Sequence, residues 1–300
     1  MLVSEGENVA VWCFGSINVD HFYSVRHLPA PGETLAALAY RVELGGKGAN
    51  QSVAAARAGA FVRHLGAVGS DGDRALAALA AYGVNCDGIR RVDGPTGHAV
   101  IMVDPAGENS IIIEAGANRA IMLDPVLAAL EQAELDDILL LQNETAFQAE
   151  VAEAAMGRGM EVIYSAAPFE IEAVRAVLPY VNTLVMNAVE AEQLRAALDT
   201  PFEDLPVETV VITRGAEGAS WHARGTPDIR VPALPTQVVD TTGAGDCFAG
   251  TLAAALSMGA LPEDAMQFAA AAAAIQVSRP GTASAMPVRA EIVALIDECG

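Results

Sequence analysis

The chain has 300 residues, 52% of them hydrophobic, and a formal charge of −21 at pH 7. That length and apolar content suit one large core, or one core with a small appendage. The charge excludes a surface for nucleic acid or an anionic membrane, since both require clustered Lys and Arg to displace counterions, so the expected partner is a small molecule.

The opening, Met1 to Asn8, is polar and acidic and lacks the layout of an export signal. Apolar runs such as Ile138 to Leu141 and Ala269 to Ile275 are too short or too small-sided to cross a bilayer. Cys13, Cys86, Cys247 and Cys299 have no metal-ligand spacing and fit reduced thiols, so a cytoplasmic protein is expected. Along the chain, residues 9–14, 61–68, 138–141, 161–164, 183–186 and 207–213 read as strands, several of them apolar throughout as in a sheet covered on both faces. Helical patterns lie between them. Asp124-Pro125 and Leu261-Pro262 place proline near a helix start, and Thr145-Ala146-Phe147-Gln148 reads as a capping box opening a helix to about Gly157. Strands alternating with helices predict a three-layer αβα domain over 1–300 with a mainly parallel central sheet.

Two segments break that rhythm. Residues 97–103 and 109–114, joined by Asp104 to Glu108, predict a hairpin, and 21–44 alternates apolar and polar residues from Leu35 to Leu44 after the Pro29 to Gly32 turn. Together, about 21–44 and 97–114 predict a small β-sheet lid outside the core, with a sheet extension or a dimer contact as alternatives. An unpaired lid edge favours a homodimer through the lid.

The chemistry follows the same order. Asn18 and Asp20 follow the first strand, Glu144 the third, and Asn187 with Glu190 the fifth; ligands of open parallel sheets bind beyond these strand ends. The only lysine, Lys47, lies in Gly45-Gly46-Lys47-Gly48-Ala49-Asn50. This is no P-loop, because Arg41 stands where its first glycine belongs and Gly48 follows the lysine. Gly15-Ser16-Ile17-Asn18 likewise lacks the repeated glycines of a dinucleotide fingerprint. Asn187-x-x-Glu190 reads as a helix cap or as a holder of hydrated Mg²⁺. The most informative stretch is Asp240-Thr241-Thr242-Gly243-Ala244-Gly245-Asp246-Cys247-Phe248, where glycines at a helix start are followed at once by a carboxylate. Free amides and the positive end of the helix dipole suit a phosphate there, while Asp246 would meet repulsion from it, which suggests proton abstraction. Alone, the stretch is equally a capping cluster.

With these motifs on the page, the chain resembles the ribokinase-like, or PfkB-type, carbohydrate kinases from about Val9 to Ile296. The likeness is carried by Gly15 to Asp20, Pro31 to Thr34, Gly45 to Gln51, Gly66 to Asp71, Asn187 to Glu190, Thr213 to Gly218 and Asp240 to Phe248. Gly45 to Gln51, with Gly107 to Asn109 and Ala115 to Asn118, is most similar to the ribose-phosphorylating members. The resemblance implies transfer of the γ-phosphoryl group of ATP to a primary hydroxyl of a small sugar, D-ribose first. A ketose, a sugar acid or a nucleoside as acceptor, or a sugar-binding regulator without turnover, are the other readings. It implies Asp246 as the base in an anion hole of Gly243, Ala244 and Gly245. Asn18, Asp20, Gly46, Lys47, Gly48, Asn50 and Glu144 would be sugar contacts. Thr213, Arg214, Gly215, Ala216, Glu217 and Gly218 would wrap the nucleotide, with Gly245 and Ala270 beside it, and Asn187 and Glu190 would serve the phosphate and Mg²⁺ region. A K⁺ site would use Asp240 and Thr242 with Gln276, Arg279, Gly281 and Ala285. Ala270 stands where members often carry His or Asn, Ala285 where they carry a serine, and Ser165 to Pro168 replaces an Asn-Pro-Ala-Pro-like turn.

Overall fold

Val11–Phe14 is apolar at every position, and a strand sends successive side chains to opposite faces. It therefore buries Val11 and Cys13 in one core and Trp12 and Phe14 in another. The same split divides Ile138 and Leu140 from Leu139 and Leu141. A sheet covered on both faces follows from this pattern alone.

The computed structural model describes residues 9–299, so the acidic opening at 1–8 lies outside the described residues. In chain order the elements are β1 (Val11–Phe14), β2 (Asn18–Ser24), β3 (Ala39–Gly45), α1 (Lys47–Ala58), β4 (Val62–Val68), α2 (Asp73–Ala81), β5 (Ile89–Arg91), β6 (Gly97–Val103), β7 (Asn109–Glu114), α3 (Leu123–Leu130), β8 (Ile138–Gln142), α4 (Gln148–Met156), β9 (Glu161–Ser165), α5 (Ile171–Val177), β10 (Thr183–Asn187), α6 (Ala188–Leu198), β11 (Thr209–Thr213), β12 (Ala219–Ala223), β13 (Ile229–Val231), α7 (Ala244–Ser257), α8 (Pro262–Val277) and α9 (Arg289–Cys299). The main sheet has the order β13-β12-β11-β10-β9-β8-β1-β4-β5 and is parallel except where β12 pairs with β11 and β13. Residues of α1, α7, α8 and α9 cover one face, and residues of α3 to α6 the other. The expected three-layer α/β fold is thus present. No helix of the described residues is long and apolar enough to cross a membrane.

The second sheet, in the order β3-β2-β6-β7, is the expected small one. Its register pairs Asn18 with Gly45 and Asp20 with Glu43, so these side chains share a face. Two local expectations are corrected. Regular pairing of β3 starts at Ala39 rather than Leu35. The capping box at Thr145 does not form: α4 begins at Gln148 after Phe147 at φ 62°, because the Gln148 amide turns back to the Gln142 carbonyl and to Thr145 Oγ1 instead of to the helix start. Pro262 does open α8, as its fixed φ and missing N–H favour.

Candidate active site

The strand order reverses around β1, and the loops beyond the carboxyl ends of β1, β8, β10 and β11 converge there. One half of the site is built from side chains. Gly46 (φ 90°) turns the chain from β3 into α1, and Gly48 lies against Gly15 so closely that a Cβ on it would come 2.5 Å from the Gly15 backbone. This brings Lys47 and Asn50 against the loop after β1. Ser16 Oγ donates to Glu144 Oε2, which also accepts from the Lys47 amide at 3.0 Å, and Ser16 Oγ accepts from the Gly48 amide at 3.3 Å. Asn18 Oδ1 accepts from Asn118 Nδ2 at 2.8 Å, while the Ile17 amide donates to Asn118 Oδ1 at 2.9 Å. Behind this loop, His64 joins Ser52 Oγ to the Gly15 carbonyl, and burial pushes the imidazole down to about 4.

The charges are tuned by crowding. Burial first, then the neighbouring carboxylates of Glu144 and Glu43, push Asp20 up to about 7. A Cβ on Gly45 would collide with the Asp20 carboxylate, which explains a glycine at this diagonal neighbour of Asp20 on β3. Lys47 is held above its ordinary value, chiefly by Asp246 against the effect of burial, with help from Glu144 and Glu190. Its ammonium thus stays charged among the carboxylates.

Gly243 (φ 80°) caps α7 and sets Asp246 in its first turn. The Ala244 amide donates to the Thr241 carbonyl at 3.2 Å, which takes it out of the expected anion hole; the amides of Gly243, Gly245 and Asp246 have no backbone acceptor among the described residues. Asp246 is 6% exposed and accepts from Asn50 Nδ2 at 3.1 Å and Gln51 Nε2 at 3.0 Å. Asn50 Oδ1 is buried without a protein partner among the described residues, an acceptor left open to a ligand donor. Nothing lies within 4 Å of where a Cβ on Gly245 would stand, so this glycine keeps open space beside the helix start.

The other half is an apolar cleft of about 510 Å³. Thr213, Gly215, Ala216, Gly218, Gly245 and Ala270 line it together. Arg214 and Glu217 do not: the Arg214 guanidinium donates to Ser220 Oγ and to the Ile212 carbonyl. Ala273, Ala274 and Val277 continue the wall from α8, and Leu234 to Thr236 closes it from a loop with no sequence pattern. Asn187 and Glu190 form a complete capping box on α6, with Asn187 Oδ1 and Glu190 Oε2 each accepting from the other residue's amide at 2.9 Å. That leaves Glu190 Oε1 for a hydrated cation, consistent with Mg²⁺ keeping most of its waters.

Beside the cleft, Asp240 accepts from the amides of Thr242 at 2.9 Å and Gly281 at 3.1 Å. Burial opposes its ionisation, yet these bonds hold the carboxyl below the usual range. Gln276 Nε2 donates to the carbonyls of Thr242 and Gly281, and Gln276 Oε1 is buried without a protein partner among the described residues. Asp240, the Thr242 and Gly281 carbonyls and the orphaned Gln276 oxygen are hard oxygen donors of the kind a monovalent cation takes, with the two carbonyls engaged by Gln276 Nε2. The Arg279 guanidinium pairs with Glu291 at 2.6 Å and Ala285 has no side-chain oxygen, so any oxygen either residue gives to such a site is its backbone carbonyl. Ser16, Asn118, Gln51 and Gln142 were not singled out from the sequence as site residues; Ser16, Gln51 and Asn118 stood inside its motif runs.

A family model described as pfkB family carbohydrate kinase matches residues 9–289. The chain is 36% identical over 298 residues to a ribokinase of Haemophilus influenzae, covering 94% of this chain and 97% of that protein. It is 32% identical to a deoxyribokinase of Salmonella typhi, covering 91% and 94%. The structure of Arabidopsis thaliana ribokinase complexed with ribose and ATP superposes with a TM-score of 0.86 at 33% identity, covering 97% of this chain and 99% of that one.

Proposed function

The chain belongs to the pfkB family of carbohydrate kinases, and from that membership we propose that it phosphorylates D-ribose with ATP at the primary hydroxyl, giving ribose 5-phosphate. One observation carries the reading: consecutive residues of α7 face the two halves of the site. Gly245 lines the apolar cleft, while Asp246 is bonded to Asn50 on the polar side. The adenine fits the alanine-walled cleft, and the phosphates run to the start of α7, where amides and dipole favour anions despite the acidic chain. The sugar lies among Asn18, Asp20, Asn50, Lys47 and Glu144.

Asp246 takes the hydroxyl proton as the sugar oxygen attacks the γ-phosphorus. A new O–P bond forms, the bond to the bridging oxygen of ADP breaks, and the Gly245 and Asp246 amides meet the charge on the transferring group. Lys47 adds a fixed positive charge beside the base. Mg²⁺, held through Glu190 and the nucleotide, would neutralise phosphate charge. K⁺, held by Asp240, Thr242, Gly281 and Gln276, would stiffen the turn before α7 without entering the chemistry. The chain is further proposed to dimerise through the small sheet, where Ile111, Ile112 and Ile113 on edge strand β7 are 50%, 63% and 65% exposed. Ile113→Lys should then give a monomer by light scattering.

The direct test of the kinase is a coupled ADP-release assay with ribose and MgATP. Sugar-dependent ADP release supports the reading. Tight sugar binding without ADP release would make the chain a sugar-binding regulator.

A further inference from the structure

We infer that Gln51, itself oriented by Gln142, is the positioning residue that fixes which oxygen of Asp246 takes the proton; the inference rests on the kinase reading above. The two amide donors on Asp246 differ in what stands behind them. Asn50, on Oδ2, sits on the sugar side with its own Oδ1 unpartnered among the described residues. Gln51, on Oδ1, belongs to the core: its Oε1 accepts from Gln142 Nε2 at 2.8 Å, and both glutamines are fully buried.

Orientation in this row is forced. An ionised carboxylate only accepts, so Gln51 must present its nitrogen to Asp246, which leaves its oxygen toward Gln142, which must in turn present a nitrogen. Turning the Gln142 amide over would set two carbonyl oxygens against each other. Kept as it is, the row leaves Gln142 Oε1 buried and without a partner among the described residues, an arrangement that costs stability. The backbone also makes room for it. α1 and α7 approach at Gly250, where a Cβ would collide with the Gln51 carbonyl and come 2.9 Å from Ala54 Cβ, and a Cβ on Gly15 would collide with Gln142 Oε1. Oδ1 is thereby anchored to the core, and Oδ2 is the oxygen that exchanges Asn50 for the acceptor hydroxyl.

Gln51→Met keeps the volume and removes the donor. Aim is lost rather than sugar contacts, so kcat should fall about 10- to 100-fold, as a small misplacement of a reacting group does, with ribose KM unchanged within about threefold. In an Asp246→Asn background the same substitution should change kcat by less than about twofold, because no carboxylate remains to be aimed. Gln142→Leu should act in the same direction, more weakly. Equal losses in the two backgrounds, or a raised ribose KM with kcat intact, would overturn the inference. So would loss of fold in both Gln51→Met and Gln142→Leu, which would make the row a core element. A wild-type chain with no sugar-dependent ADP release would instead refute the kinase reading, and the inference with it.

Discussion

The two halves of the site are made of different material. The polar side is made of side chains that hold one another: Ser16 on Glu144, Asn118 on Asn18, Asn50 and Gln51 on Asp246. The cleft is walled by backbone and small apolar residues, from Gly215 and Gly218 to Ala270 and Ala273. A polyhydroxyl ligand has directional donors and acceptors to match, so each side chain must be placed and a missing partner is costly. A nucleobase is satisfied by a flat apolar slot, which many sequences can build. The difference teaches where this chain should be sensitive to substitution and where it should be tolerant.

The largest effect is expected where the halves meet. Asp246→Asn keeps the volume and removes the proton acceptor, so turnover should fall about 10²- to 10⁴-fold while ribose still binds. Activity within threefold of wild type would remove Asp246 as the base. Next is Gly245→Ala, which places a methyl in the open space at the helix start. ATP turnover should drop by roughly 10- to 100-fold, near the loss of one oxyanion donor. Thermal stability should rise by a few tenths to about 1 kcal/mol, since alanine is the better helix former. A rise in both would show that the space is unused.

Asp20 probes the polar half alone. Sugar hydroxyls donate to a carboxylate, so binding favours its ionised form, and ribose affinity should rise as pH increases through about 7. Titration calorimetry from pH 5.5 to 8.5 reads this, and Asp20→Asn should flatten the profile and weaken binding by about 1–3 kcal/mol. The stability linkage has the opposite sign. Between the ordinary carboxyl value of 3.8 and about 7 the folded chain holds a proton that the unfolded chain has released, so this group's contribution falls as pH rises through that window. The smallest effect expected is a several-fold activation by K⁺, measured against a large organic cation at constant ionic strength, and lost in Asp240→Ala. Equal rates with both cations would exclude the site.

Legibility followed the same division. Glu144 could be found because polar residues shortly after an apolar run stand near a strand end, and Asp246 because glycines mark the helix start before it; Asn18 and Asp20 were reached by the same rule, yet they stand inside β2 of the small sheet rather than in a loop after β1. Gln51 could not be told from a core position, since a buried polar residue inside a helix gives no periodic signal, whereas Gln142, directly after the run 138–141, carries the same strand-end signal as Glu144 and is nonetheless buried as the last residue of β8. Leu234 to Thr236 carry no pattern, and their place in the cleft is set by tertiary packing. The short strands β5 and β13 are specified by their neighbours more than by their own residues. At Thr145 the local pattern was right in residue type and overruled by the Gln142 carbonyl.

The central claim is that the polar half is built for ribose. It is tested most directly by kcat/KM for ribose, 2-deoxyribose, fructose, gluconate and inosine, measured side by side with MgATP. If the buried side chains each bond a hydroxyl, ribose should lead 2-deoxyribose by about 5- to 150-fold, the equivalent of 1–3 kcal/mol for one unmatched partner. Faster turnover of 2-deoxyribose, a nucleoside or a sugar acid would contradict the assignment and leave only the kinase.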